Sequence, residues 1–166
     1  GALLVQGCST YTTIEPGNVG LKIDYYGKEK GVEEELLGTG RHWYNTMRNR
    51  IVEYPVYTIN YKYTAAPTEG RPSNEEISFT TIDPGVVVSV DANLSYRLQR
   101  THVKSFYERF RLDNMDAFTY GYLRDLVRNG FNAVGGKYQA IAINGPEKEK
   151  FVLEVKDYLS NRLKPL

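Results

Sequence analysis

Two histidines, one cysteine and a scatter of carboxylates are the residues of this chain with reactive chemistry to offer. His42 stands beside Trp43 after a double-glycine turn, and His102 opens a helical pattern on a polar stretch. Neither has a serine, a cysteine or a paired carboxylate at the spacing of a nucleophile and its base. Packing or turn hydrogen bonding accounts for the first, and solvation for the second. Asp83 and Asp91 flank a strand start, as an acid/base pair would. Yet Asp83 precedes Pro84-Gly85 and reads as a turn residue, while Asp91 falls on the wet face of a strand. Gly38-Thr39-Gly40-Arg41 lacks the spacing and the lysine of a phosphate-binding loop, and no dinucleotide fingerprint follows a strand. So few Cys and His exclude a disulfide framework and a Cys/His zinc site. Arg97, Arg100, Lys104, Arg109 and Arg111 make a basic run that suits phosphates or lipid head groups, or a solvated helix face. Glu33-Glu34-Glu35 balances it elsewhere. The residues predict a protein that is not an enzyme, with no catalytic, cofactor or metal residues.

Cys8 is the one remaining candidate for modification. The opening Gly1-Ala2-Leu3-Leu4-Val5 is far shorter than the roughly 20 apolar residues that cross a bilayer. It reads as the tail of a longer apolar segment, either a transmembrane anchor or the core of a signal peptide. Gly7-Cys8-Ser9 after that run resembles a lipoprotein site, with Val5 fitting the third position before the cysteine and Gln6 fitting the second poorly. A retained membrane anchor is favoured over a lipidated Cys8, because lipoprotein processing would remove residues 1–7; an ordinary free thiol in a linker is the third reading. No Lys or Arg occurs before Lys22, which places the domain on the non-cytoplasmic side of its membrane by the positive-inside tendency.

The elements that would position these residues follow from composition and period. The 166 residues are 41% hydrophobic and 25% charged, with a net charge of +1. That suits one folded domain, or a domain with a short appendage, and leaves no electrostatic footprint for nucleic acid. Tyrosine is abundant, 14 against 6 Phe and 1 Trp, and its apolar body with a polar tip suits half-wet faces and interfaces. Glu15-Pro16-Gly17-Asn18 is turn chemistry, and Val19, Leu21 and Ile23 then alternate with polar residues as in a half-buried strand. Residues 51–63 read as strand, with Pro55 marking an edge or a bulge. The stretch 65–74, with Pro67, Gly70 and Pro72, reads as an exposed loop, and Ile77, Phe79 and Thr81 as one side of a short strand. From Val86 to Leu98 every second residue is apolar, the pattern of a single antiparallel strand with one face on a core. The period then becomes helical: Val103, Phe106, Tyr107 and Phe110; next Met115, Phe118, Tyr122 and Leu126 behind an Asp113 or Asn114 cap; finally Phe151, Val155, Leu159 and Leu163 after Pro146. Gly135-Gly136 ends the second of these. Strands first and helices after predict an α+β fold, an antiparallel-rich twisted sheet with helices packed on it.

Several segments together resemble the SPFH (stomatin, prohibitin, flotillin) domain family, in its prohibitin-like bacterial or phage branch. Glu15-Pro16-Gly17-Asn18-Val19-Gly20-Leu21-Lys22-Ile23 looks like the family's opening strand. Leu37 to Trp43 is similar to a turn that usually reads Gly-Pro-Gly, an apolar residue and His, with Thr39 and Arg41 as departures. Phe79 to Gly85 with Val88-Ser89-Val90-Asp91-Ala92 resembles the Thr-x-Asp-Gly, Val-x-Val-Asp block, with Pro84 inserted. Tyr96-Arg97 and Leu123-Arg124 fit the strand end and the Leu-Arg that follow. The likeness spans residues 14–166, leaving 1–13 as the membrane-proximal end of an anchor. The resemblance implies a membrane-anchored oligomeric scaffold that assembles into rings or cages through a C-terminal helical region beyond this chain. It also implies that the protein organises membrane patches or regulates membrane proteins such as proteases. Its expected partners are copies of itself, membrane lipids and a membrane protein, with no cofactor and no nucleic acid. Its expected place is a bacterial inner membrane. The alternative reading is a periplasmic lipoprotein-type protein-binding domain without large assembly.

Overall fold

A computed structural model describes residues 9–26, 31–33, 35–66 and 75–164. It is α+β, with all strand pairing antiparallel and the helices following the strands. The chain forms two compact units: one holds the described residues up to Thr58 with Arg97–Met115, the other Ile59–Tyr96 with the described residues from Asp116 onward. The sequence-predicted loop at 65–74 lies outside the described residues from Pro67 on, and Cys8 lies outside them too.

In the first unit, β1 (Ser9–Ile14) pairs with β4 (Gly40–Asn45), while β2 (Asn18–Asp24) lies between β3 (Gly31–Val32) and β5 (Asn49–Pro55). Strand structure is thus present over Ser9–Ile14, ahead of the alternation readable from Val19. Gly17 makes the turn into β2 with φ of 88°, a left-handed conformation that a side chain disfavours. Val19, Leu21 and Ile23 are buried as their alternation requires. Gly20, between them, exchanges backbone hydrogen bonds with Leu37, and a Cβ there would lie 2.9 Å from the Ile14 methyl. A side chain there would have to displace that methyl. Pro55 closes β5 on the edge of the three-stranded sheet, where its missing N–H costs no ladder bond. The expected strand over 51–63 is thereby two strands, β5 and β6 (Ile59–Tyr63), each paired in a different sheet.

After a single 3-10 turn at Arg100–His102 comes α1 (Val103–Phe110), with Val103, Phe106 and Tyr107 buried as their spacing predicts. Phe106 meets Tyr54 of β5 edge to face, with ring centroids 5.7 Å apart. Arg111 ends the helix in the left-handed conformation, and its N–H donates to the Tyr107 carbonyl. The segment beyond is tied back by the Tyr54 hydroxyl, which donates to the Leu112 carbonyl, and by an ion pair of Arg50 with Asp113.

In the second unit, β6 (Ile59–Tyr63) pairs with β9 (Ala92–Tyr96), and β7 (Ile77–Thr80) with β8 (Val87–Val90). The single strand expected from Val86 to Leu98 is divided at Asp91. Its two halves are adjacent in sequence, so the pairings form one long ribbon interrupted by the insertion 64–76. The alternation survives the break: Val88, Val90, Ala92, Leu94 and Tyr96 are half-buried and their neighbours exposed. The apolar face is thus covered in part, where the pattern predicts a full core face. Packed on the ribbon are α3 (Arg124–Gly135) and α5 (Lys148–Leu163), which starts two residues past Pro146. Tyr63, Ile77, Phe79, Leu126, Val127, Phe151, Val155 and Leu159 are among the core they share. Phe79 and Phe151 stack at 5.6 Å, and Phe131 lies against both. Gly135 passes directly over Phe79, where a Cβ would come within 2.4 Å of the ring and 3.0 Å of the Thr80 carbonyl oxygen.

The helix expected over Met115, Phe118, Tyr122 and Leu126 contains α2 (Met115–Phe118), a π turn at Thr119–Leu123 and then α3. The wider turn inserts one residue into the stripe. Leu123 takes the inward place, and Tyr122 is displaced to 36% exposure. The short α4 (Ala140–Ile143) is held at its start by Asp83, whose carboxylate accepts the Ala140 N–H at 2.8 Å.

Two stability outcomes follow from this packing. Gly135→Ala forces ring or backbone to shift and lowers thermal unfolding stability by about 2 kcal/mol. Val90→Asp puts a carboxylate on the half-covered apolar face and costs about 2 kcal/mol, whereas Asn93→Asp, on the wet face, stays within about 0.5 kcal/mol. Equal losses in the last two variants, read by calorimetry, contradict the assignment of faces.

Candidate membrane-facing surface

The first unit exposes several large apolar side chains toward one end. Tyr11 of β1 lies directly across from Trp43 of β4, with ring centroids 5.2 Å apart and planes nearly perpendicular. Alternation fixes this: Tyr11, Arg41 and Trp43 point outward from the ribbon while Thr12, His42 and Tyr44 point half inward. The Arg41 guanidinium sits 4.5 Å from the Tyr11 ring centroid, a cation–π contact on the same face. Trp43 is 69% exposed, although an indole buries more readily than it stays in water.

The β4–β5 turn extends this surface. Asn45 shapes it, accepting the Met47 N–H on its side-chain oxygen and the Arg48 N–H on its carbonyl. Met47 is left at the tip, 66% exposed. The Tyr25 N–H donates to the Arg48 carbonyl at 2.8 Å, which brings the end of β2 beside the same turn with Tyr25 and Tyr26 exposed. Ser9, the start of β1, pairs with Asn45. One end of this unit therefore gathers Trp43, Met47, Tyr25 and Tyr26, next to Ser9 at the start of β1. Aromatic rings with one polar tip, a thioether and arginines are the side chains that favour the boundary between water and hydrocarbon.

The remaining candidates from the sequence are dispersed. His42 donates from Nε2 to the Gly38 carbonyl at 2.7 Å, which closes the double-glycine turn. His102 is exposed at the start of α1 without a capping bond. Asp83 is a turn residue whose carboxylate holds α4, and Asp91 is exposed at the kink of the ribbon. In the basic run, Arg109 lies over Phe110 and Arg111 over Tyr107, while Arg97 and Arg100 face solvent. Among the described residues no group of three His, Cys, Asp or Glu could hold a metal ion. Arg50, Lys22 and their carboxylate partners are surface ion pairs; hydrogen bonding to Glu33 raises the Lys22 ammonium above its ordinary pKa.

Many tyrosines have structural work in the core. The Tyr63 hydroxyl donates to the Thr119 carbonyl at 2.7 Å, at the start of the π turn, and Tyr96 bonds the Thr119 hydroxyl. Tyr61 donates to Glu75, which is itself buried. Burial pushes the Tyr54, Tyr61 and Tyr63 phenols up, well above the usual tyrosine range. Tyr138 donates to Glu154, and that bond lifts its phenol to about 12. These groups stay protonated in any ordinary buffer and act as donors, not as bases. Composition marks tyrosine as abundant; no sequence signal separates the buried donors from the exposed rings at the tip.

Among the described residues no helix is long and apolar enough to cross a membrane. No curated protein matches the chain. The family model described as SPFH domain / Band 7 family matches residues 12–166, nearly the whole length and from within β1 onward. The chain belongs to the SPFH domain / Band 7 family.

Proposed function

We propose that this protein is a membrane-anchored oligomeric scaffold, held against the bilayer by an anchor that leads into β1 and resting on it through the aromatic end of the first unit. The family is one of membrane-associated scaffolds that are generally not enzymes and generally form oligomers. The observation that carries the reading here is the exposed cluster of Trp43, Met47, Tyr25 and Tyr26 beside the start of β1. Water disfavours such a cluster, and a chain already tethered next to it needs little further free energy to press it into the interface. Two weak signals in one place, an apolar leader and an amphipathic rim, give stable attachment where either alone is marginal.

The scaffold's further features are part of the same proposal. With no Lys or Arg before Lys22 the flank of the anchor carries no cytoplasmic signal, so the domain faces the non-cytoplasmic side of a bacterial inner membrane. Assembly into a ring or cage relies on many copies sharing a plane, since lateral contacts among polar and tyrosine-bearing faces are individually weak. A membrane protease, or another membrane protein under its control, is the expected client. Attachment runs through a retained transmembrane segment; a lipidated Cys8 belongs to the alternative, a periplasmic binding domain without large assembly.

Trp43 is the one tryptophan, so its fluorescence reports its own surroundings. Anionic phosphatidylglycerol/phosphatidylethanolamine vesicles are expected to shift its emission to the blue, and Met47→Ser with Tyr26→Ser to weaken vesicle co-flotation by about tenfold, with thermal stability unchanged. Unshifted emission at saturating lipid contradicts a membrane-resting rim.

The mass of the detergent-extracted protein tests assembly: many copies are expected, and a monomer carrying acyl groups on Cys8 favours the lipoprotein reading instead. A reporter fused after Leu166 should be active on the non-cytoplasmic side, and activity only in the cytoplasm overturns that placement.

A further inference from the structure

The ribbon of the second unit leaves one strand edge open beside an apolar groove. β9 bonds to β6 along one side, and among the described residues no backbone hydrogen bond reaches its other side. Between that side and α5 lies a cavity of about 450 Å³. Its walls include six consecutive residues, Asp91 through Tyr96. The cavity lies against the apolar face, where Ala92 and Leu94 pack, beside the side of β9 that carries no partner strand. The opposite wall is mainly apolar, with Val155, Leu159 and Leu163 of α5 and Phe131 of α3; Lys156 and Ser160 also border it, and Val152 is 52% exposed. An open edge next to an apolar helix wall is the geometry that accepts an added strand: backbone hydrogen bonds supply affinity, and alternate side chains fill the groove.

We infer that the occupant is β9 of a second copy, paired antiparallel about Leu94. The sequence around that residue is self-complementary in this direction only. Pairing Leu94 with its counterpart sets Ala92 opposite Tyr96 and Asn93 opposite Ser95, so that every apolar residue of the incoming strand takes an inward position. It also sets Asp91 of each copy opposite Arg97 of the other, the residue that follows the strand. Both are exposed, and neither has an ion-pair partner in its own chain among the described residues. A parallel pairing would instead set Asp91 against Asp91 and Arg97 against Arg97, with like-charge repulsion at both ends. The contact is isologous, which closes it at two copies. It joins four strands in the order β6-β9-β9-β6 and covers an edge that would otherwise template uncontrolled association. The inference deepens the scaffold reading and rests on it for the crowding in a shared membrane that a five-residue strand contact needs; larger assemblies require a further interface.

Charge reversal and cross-linking of the full chain test the pairing. By sedimentation equilibrium, Asp91→Arg and Arg97→Asp are each expected to weaken dimer formation about tenfold, since each turns two attractions into two repulsions. The double variant recovers wild-type association. In a Cys8→Ser background, Leu94→Cys gives a disulfide-linked or bismaleimide-linked dimer. Ser78→Cys does not, because Ser78 pairs with Ser89, five residues down the ladder, and its two copies lie about 33 Å apart. The proposal is overturned if the protein stays monomeric up to millimolar concentration, if the double variant associates no better than the singles, or if the two cysteines cross-link alike. A persistent monomer that binds a synthetic peptide of residues 90–98 overturns it too and leaves the groove to a foreign strand. Trp43 emission on vesicles reads membrane attachment separately, so loss of pairing with an intact blue shift counts against the dimer alone.

Discussion

The close passage of α3 over β7 governs the second unit. Gly135 brings helix backbone against the Phe79 ring, nearer than any side chain would allow, and Phe131 and Phe151 complete the aromatic stack. That contact commits the helices to the β7–β8 half of the ribbon. The β6–β9 half shares the same apolar alternation and keeps Tyr63 in the common core, but Ala92, Leu94 and Tyr96 of β9 remain half-covered and a groove opens along that strand. A single packing choice thus explains both the best-filled core and the least satisfied surface of the unit.

Tyrosine plays two parts that its abundance alone does not separate. Inside, Tyr54, Tyr63 and Tyr138 fill core volume and place hydroxyls on a carbonyl or a carboxylate, which meets the cost of burying a polar atom. The π turn belongs to this arrangement, since Thr119 at its start receives both Tyr63 and Tyr96. Outside, Tyr11, Tyr25 and Tyr26 accompany Trp43 and Met47 at one end of the first unit. The same side chain is a structural donor where the backbone offers an acceptor and an interfacial ring where solvent or lipid does.

Among the described residues, candidate reactive side chains are engaged in structural contacts one by one. His42 is committed to the Gly38 carbonyl and Asp83 to the start of α4. Arg109 and Arg111 cover aromatic rings of their own helix. The first unit exposes an aromatic rim, and in the second β9 pairs along one side only. Membership of the SPFH domain / Band 7 family, matched over residues 12–166, agrees with a protein that works through surfaces.

Local pattern was enough to read the fold class, the strand-to-helix order and most inward-facing residues, because side-chain direction has period two in a strand and 3.6 in a helix. Val19, Leu21 and Ile23, the buried face of α1, the stop at Gly135-Gly136 and the edge position of Pro55 were all legible on that basis. Breaks in an element were not: the kink at Asp91 leaves the alternation intact, and the π turn shifts a stripe by one residue without any local signal at Tyr122. How much of an apolar face gets covered was equally invisible, since Val90 and Leu94 carry the same pattern as Ile77 and Phe79 yet stay half-exposed. The candidate surfaces depended on tertiary structure for the same reason. Trp43, Met47, Tyr25 and Tyr26 are spread over 23 positions of the chain, and only the pairing of β1 with β4 and the docking of Tyr25 on the Arg48 carbonyl collect them at one end. Periodicity reports which way a side chain points; what it meets there is decided by elements distant in sequence.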